Sequence, residues 1–441
     1  LPRAAGVVID WRVLTFAVVV SITSALVFGL APALRDFGRA LPGSLHAGSR
    51  TVAGSFGPMQ RTLVAAEIAL AILLLTSAGA LGRTLLHLAR LDPGVRTHDV
   101  VVARMALSPS ALDTAARMRA AWRDIVERTE RLPGVGAVAL VDTVPLRVGH
   151  NENGYWTSAA VPPEKERPVA LSTCVTPGYL DVMGLTLRDG RFFDDHDRLD
   201  APRVIVIDDV LARSAFADSS AVGRDLWIPD MGTEPLHVVG VVNHVRYWGL
   251  AADDESSVRA QFYYPLAQVP DEWLRRWSEL LSIAVRSRTP PAALVPMLRH
   301  ELRGASNDQV LYDVRTLDAL AAGGLARHRF LLSLFTVFAG LSLVLACVGV
   351  HGVLTHLTRR RVPEFGIRMA MGATSSDVRS LVLRQSAATI GVGTLVGCAG
   401  ALAVDRLLRG IVVAMQPVDA TTLLATAGVM VLAALVAADR P

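Results

Sequence analysis

Apolar residues gather in blocks toward the two ends of this 441-residue chain, whereas the middle alternates like an ordinary globular domain. A helix of about 20 apolar residues is long enough to cross the hydrocarbon core of a bilayer. Five stretches read as spans: 13–34, broken late by Pro32; 63–85, carrying Glu67; 330–357; the Gly-rich 381–408; and the shorter 421–438. Arginines in short loops set orientation, because such loops stay on the cytoplasmic side. Segment 35–62 carries Arg35, Arg39, Arg50 and Arg61 against Asp36. Segment 358–384 carries Arg359, Arg360, Arg361, Arg368, Arg379 and Arg384 against Glu364 and Asp377. Both are expected in the cytoplasm, with 86–329 and 409–420 outside. Arg327 and Arg329 run against this rule, but long translocated domains largely escape it.

The outer region 86–329 predicts a mixed α/β domain. Strands are expected at 99–107, 135–141, 169–175, 204–207, 236–245, 282–286 and 310–314. Helices are expected at 111–131, stopped by Pro133 and Gly134, after Pro177, and at 291–303. One β-α-β pattern opens the domain and another closes it, around a strand-rich middle with many Gly and Pro. That order predicts two lobes, the outer one inserted into the inner.

An internal echo bears on the first span. Asp10 precedes Pro32 as Asp419 precedes Pro441, Leu14 corresponds to Leu423, and Ala-Leu-Val recurs at 25–27 and 434–436. The echo predicts that the first span closes a preceding copy of the same unit. Segment 36–62, with Gly43, Gly48, Gly54, Gly57 and Pro58, would be the flexible joint. Four spans then form one unit from position 63 onward. A first residue other than Met and a last span ending at Pro441 fit a piece of a longer chain.

Composition narrows the chemistry. The chain is 51% hydrophobic, above a soluble domain's usual share, and its formal net charge is +4. Lys165 is its one lysine, and the arginines form no basic stripe interleaved with aromatics, so no nucleic-acid partner is expected. The three cysteines, Cys174, Cys347 and Cys398, offer neither a disulfide framework nor a CxxC metal site, and read as small buried hydrophobes. A phosphate-binding GxxxxGK[ST] loop is absent, so the chain is no Walker-type ATPase by itself. Asp194, Asp195, His196 and Asp197 form the one candidate set of hard-cation ligands, but the run is as Asp-rich as turns are and is read as a turn. No HExxH, GxSxG or paired Cys/His motif occurs. The chain is therefore expected to be no enzyme, with no catalytic residue, cofactor or metal. Glu67, His351 and His356 lie in or near spans, yet no second buried acid aligns with them to make a proton relay.

The segment 363–373 (PEFGIRMAMGA) stands out. Pro363 opens a helix well and Gly372 closes one, and Thr374, Ser375, Ser376 and Asp377 resemble a capping box for the next helix. A short cytoplasmic helix here could plug Phe365, Ile367 and Met369 into a partner's groove, or could simply lie in the interface as an anchor.

RRRVPEFGIRMAMGATSSDVRSLVLRQ (359–385) resembles the signature of the FtsX-like, MacB-type ABC permeases. RTLVAAEIALAILLLTSAGALGRTLLHL (61–88) is similar to that family's first span. LPGVGAVALVDTVPL (132–146) and TPGYLDVMGLTLRDGRFF (176–193) are similar to its MacB-like periplasmic core. LVFGLAPALRD (26–36) resembles the duplicated orphan permeases, in which two units are fused.

The fold implied is an α-helical membrane protein with an inserted two-lobed α/β extracytoplasmic domain. Its parts are a last helix of a preceding copy (1–35), a cytoplasmic linker (36–62), transmembrane helices at 63–85, 330–357, 381–408 and 421–438, the periplasmic core (86–329) and a cytoplasmic coupling loop (358–380). The resemblance implies that Glu364, Phe365, Gly366, Ile367, Arg368, Met369, Ala370 and Gly372 couple the chain to an ABC ATPase subunit not encoded in it. Pro363 departs from the pattern, standing where a charged residue is commoner. Mechanotransmission is implied: ATP-driven motion of the partner moves the periplasmic domain, which exports or releases a substrate. Other implied partners are the lipid bilayer, a second permease unit in a homodimer or in the same longer chain, and a periplasmic adaptor. The implied location is the bacterial inner (cytoplasmic) membrane, multi-pass. The alternative is a non-transport membrane regulator or anchored binding module signalling to envelope partners.

Overall fold

The computed structural model describes residues 11–12, 14–23, 56–107, 109–147, 151–217, 220–232, 234–278, 281–305, 310–360, 367, 370–372, 374–409 and 417–438. It forms two units. One comprises Leu81–Arg329 with Leu407–Pro417, and the other comprises Leu1–Ala80, Phe330–Arg406 and Val418–Pro441.

The first unit is built on a mixed sheet. Its strands are β1 (Val100–Ala106), β2 (Val135–Val141), β3 (Asn151–Gly154), β4 (Val169–Val175), β5 (Leu187–Gly190), β6 (Val204–Asp208), β7 (Asp225–Leu226), β8 (Leu236–Val242), β9 (Gln261–Pro265), β10 (Ser282–Ser287) and β11 (Val310–Thr316). The sheet runs β11-β1-β10-β2-β4-β9-β6-β8-β5, with β3 beside β4 and β7 beside β8. The strands contributed by the two ends of the domain interleave. β10 is antiparallel to both β1 and β2, and β1 is antiparallel to both β10 and β11. This is the split β-α-β arrangement of ferredoxin-like folds.

Its two crossover helices, Ala115–Glu130 and Pro291–Ala305, bury Met118, Trp122, Ile125, Leu294, Leu298 and Leu302 in one core on one face of the sheet. The Thr114 hydroxyl caps the first of these helices, accepting from Arg117 N at 3.3 Å. Gly134, at φ +82°, turns the chain into β2 after that helix ends. The opposite face carries a second core, with Val100, Val102, Ala139, Val141, Tyr179 and Tyr263.

Strands β3 to β9 are inserted between β2 and β10, as the two-lobe reading expects. The lobes are joined more closely than that reading implies. They share one sheet, which narrows to a single aligned pair, Val141 and Val175, between β2 and β4. Both cores draw residues from both lobes, including Val138 with Ile205, and Ala139 with Val206.

In the other unit, helices cluster around Val64, Ile68, Ala71, Ile72, Ala346, Val350 and Met430. Among the described residues, three helices are long and apolar enough to cross a membrane: Thr62–Arg90, Ala326–Gly352 and Ala387–Leu407. Two shorter apolar helical stretches, Leu14–Thr23 and Ala420–Ala433, accompany them. Most of the expected first span, 13–34, lies outside the described residues.

Two glycines of Ser375–Arg409 have a physical reason. A Cβ at Gly393 would come within 2.8 Å of Ala65 O, and one at Gly397 within 2.9 Å of Ala69 Cα and Ile72 Cβ. Spaced by four, the two glycines share one helix face and let the backbones approach, as small residues do between membrane helices. The Thr76 and Thr426 hydroxyls meet across another helix pair at 3.1 Å.

Candidate functional site

The coupling segment falls between two long helices, Ala326–Arg360 and Ser375–Arg409. Of its expected residues, Glu364, Phe365, Gly366, Arg368 and Met369 lie outside the described residues, and Ile367, Ala370 and Gly372 are described. Met371 N donates to Ile367 O at 3.0 Å, the spacing of a helical hydrogen bond. Gly372 follows at φ +98°, a conformation that favours glycine. Ile367 is 63% exposed and Met371 is 83% exposed. Four residues apart, they stand on the same side of the turn. Met371 was absent from the expected site residues, although its spacing from Ile367 was readable.

The other sequence candidates resolve into structure. Asp197 is buried and accepts from both terminal guanidinium nitrogens of Arg191, at 2.7 and 2.8 Å, and from Asp194 N at 3.0 Å. Asp194 in turn accepts from His196 N at 2.8 Å. The 194–197 run is thus a turn closed on an arginine. Among the described residues no group of three or more His, Cys, Asp and Glu side chains is arranged to hold a metal ion. Cys174 is buried in β4, and Cys347 and Cys398 are half-buried free thiols. The Glu67 carboxylate lies against Gly349, where a Cβ would collide with Oε2, and that oxygen has no hydrogen-bond partner among the described residues.

Sequence reasoning missed two buried polar centres in the outer domain. His244 is held between two fully buried carboxylates, with Nδ1 2.6 Å from Asp208 and Nε2 2.8 Å from Asp253. Burial by itself would push the imidazole down. Hydrogen bonds to Asp208 and Asp253, and their charges, instead raise it to about 9. Burial pushes Asp208 upward, but its carboxylate also accepts from Leu211 N and Gln261 N, which favours the ion. Neither ring nitrogen is left free, so the imidazole has no site to serve as a general base. The triad is a lock joining β6, the β8–β9 connection and the start of β9.

Asp142 is the second centre. Burial raises its carboxyl to about 7, against the hydrogen bonds from Cys174 N, Asn151 and Thr143. The Tyr247 hydroxyl donates to the carbonyl of the neighbouring Thr143.

Residues 63–305 match the MacB-like periplasmic core domain, and residues 336–438 match the FtsX-like permease C-terminal domain. The chain belongs to the MacB/FtsX-type ABC permease family. It matches the permease part of these proteins. Among curated relatives of this family, the uncharacterized ABC transporter permease YknZ of Bacillus subtilis is 26% identical over 223 residues, covering 51% of this chain and 54% of that protein. The macrolide export ATP-binding/permease protein MacB of Rhodopseudomonas palustris is 31% identical over 265 residues, covering 57% of this chain and 37% of that protein. The matched part thus spans about half or less of each relative's length.

Among solved structures, the periplasmic region of MacB from Actinobacillus actinomycetemcomitans aligns with TM-score 0.34 at 14% identity, covering 54% of this chain and 97% of that one. The extracellular domain of the noncanonic ABC-type transporter YknZ aligns with TM-score 0.30 at 17% identity, covering 48% of this chain and all of that one. As a permease of this family, the protein is a membrane protein carrying an extracellular α/β domain.

Proposed function

We propose that this chain is the permease unit of an ABC-type mechanotransmission system in the bacterial inner membrane. A partner ATPase docks on the cytoplasmic turn around Ile367 and Met371, with Glu364, Phe365, Gly366, Arg368, Met369, Ala370 and Gly372 completing the coupling segment. Its motion is passed to the outer domain, which exports or releases a substrate on the far side. A second permease unit and a periplasmic adaptor complete the assembly.

The observation that carries this reading is a pair of long helices. Phe56–Arg90 and Ala326–Arg360 are 35 residues each, about 52 Å at 1.5 Å per residue, against a hydrocarbon core of about 30 Å. Each is unbroken and contributes residues to both structural units. A rigid element that outreaches the bilayer is suited to carrying displacement rather than solute. An exposed apolar pair on a cytoplasmic turn is suited to a partner's groove.

Co-purification from native membranes tests the docking. Gly366→Pro combined with Met369→Asp is expected to abolish association with the ATPase while membrane insertion stays intact. Unchanged recovery of the ATPase would remove docking at this segment from the account.

A further inference from the structure

We propose that the outer domain carries a phosphate-binding site, in a cavity of about 550 Å³ at the end of β1, β2 and β10. Three arginines line it, Arg96, Arg286 and Arg288, with one acidic residue, Asp99. Among the described residues none of the three arginines has an ion-pair partner. His98, at the rim, is occupied by Asp318 at 2.9 Å and so is held in place. The site is independent of the coupling role proposed above.

The arginines are positioned by the fold. β10 shifts register between Arg286 and Ser287, and such bulges re-aim side chains at the rims of sheets. The chain beyond the bulge is pinned. Ser287 N donates to Asp99 O at 2.9 Å, Arg288 N to Gly134 O at 3.0 Å, and Thr289 Oγ1 to Pro133 O at 3.0 Å. A glycine leaves room for one of the side chains: a Cβ at Gly184 would stand 3.2 Å from Arg96 Cβ and 3.6 Å from its Cζ. Gly136 faces Arg286 at ordinary contact distance, 3.5 Å from its ideal Cβ position to Nε. Gly184 also needs its left-handed φ of +63° to close the Tyr179–Met183 helix.

Charge and shape select the ligand class. Three planar guanidinium forks against one carboxylate leave an excess of positive charge, and each fork matches two oxygens of a phosphate. A lone carboxylate ligand offers two oxygens and one charge, which would leave the set unbalanced. The volume far exceeds a bare phosphate, so an organic body is accommodated beside it. Two sources share this chemistry: a soluble organophosphate and a lipid headgroup.

The test uses the full chain in uncharged detergent, with two probes. Glycerol 3-phosphate is titrated by calorimetry, and retention of phosphatidylglycerol over phosphatidylcholine is read by native mass spectrometry. At least one probe is expected to bind saturably, and Arg286→Gln is expected to weaken it about tenfold, the usual loss for a charged hydrogen bond. Binding of glycerol 3-phosphate supports the site with a soluble source, and retention of phosphatidylglycerol alone supports it with the headgroup as source. Should Arg286→Gln lower the melting midpoint, Arg288→Gln, exposed and beyond the strand, is expected to show the same loss in a folded protein. Binding that is indifferent to these arginines, no binding of either probe, or acetate competing as well as phosphate would overturn the proposal.

Discussion

His244 shows what single side chains contribute to the outer domain. Its raised imidazole stabilises the fold because the folded state holds a proton that the unfolded chain releases more readily. That contribution is fully present below the ordinary histidine value near 6.5 and fades as pH rises through about 9. Melting of the solubilised chain, followed by tryptophan fluorescence, should therefore lose stability between those values, and His244→Ala should flatten the loss. The same change leaves buried Asp208 without its cationic partner and Asp253 with Arg259 alone, at 3.6 Å, at a cost of about 3 kcal/mol at neutral pH. A pH profile of His244→Ala parallel to the wild type would refute the lock. This residue was not legible in the sequence. Asp208 and His244 lie far apart along the chain, and a lone histidine after a strand carries no local signal. The 194–197 run was legible because a turn is a local matter.

At the scale of elements, pattern located most strands because burial on both faces leaves continuous apolar runs. It fixed 135–141 and 169–175 at the bounds observed. It missed β9, whose QFYYP is fully buried yet carries a polar residue and two hydroxyls, and the helices Asp209–Phe216 and Asp271–Ser278, which are too short for periodicity to declare. The interleaving of β1, β2, β10 and β11 was also out of reach, since strand order depends on contacts between distant segments. The glycines of the third long span were legible as a pattern, and the structure adds a reason for two of them, Gly393 and Gly397. Gly397→Leu would drive a side chain into Ala69 and Ile72 and is expected to lower the melting midpoint of the solubilised protein. Gly391→Leu, at a glycine with open space around it, should be nearly neutral. Equal effects of the two would show that Gly397 is not a packing position.

For the whole molecule, the most specific sequence signal, 359–373, lies where two long helices, Ala326–Arg360 and Ser375–Arg409, are joined. The family assignment rests on both matched domains together, and the mechanical reading rests on helices that belong in part to each unit. The central claim is that a cytoplasmic event reaches the outer domain through those helices. Hydrogen exchange tests it, comparing the membrane complex with its ATPase partner empty and trapped with a non-hydrolysable ATP analogue. The account predicts altered protection at the outer helix ends, residues 81–90 and 326–329, and in the adjoining outer domain. Changes confined to the cytoplasmic segment 358–380, with the outer domain untouched, would contradict it.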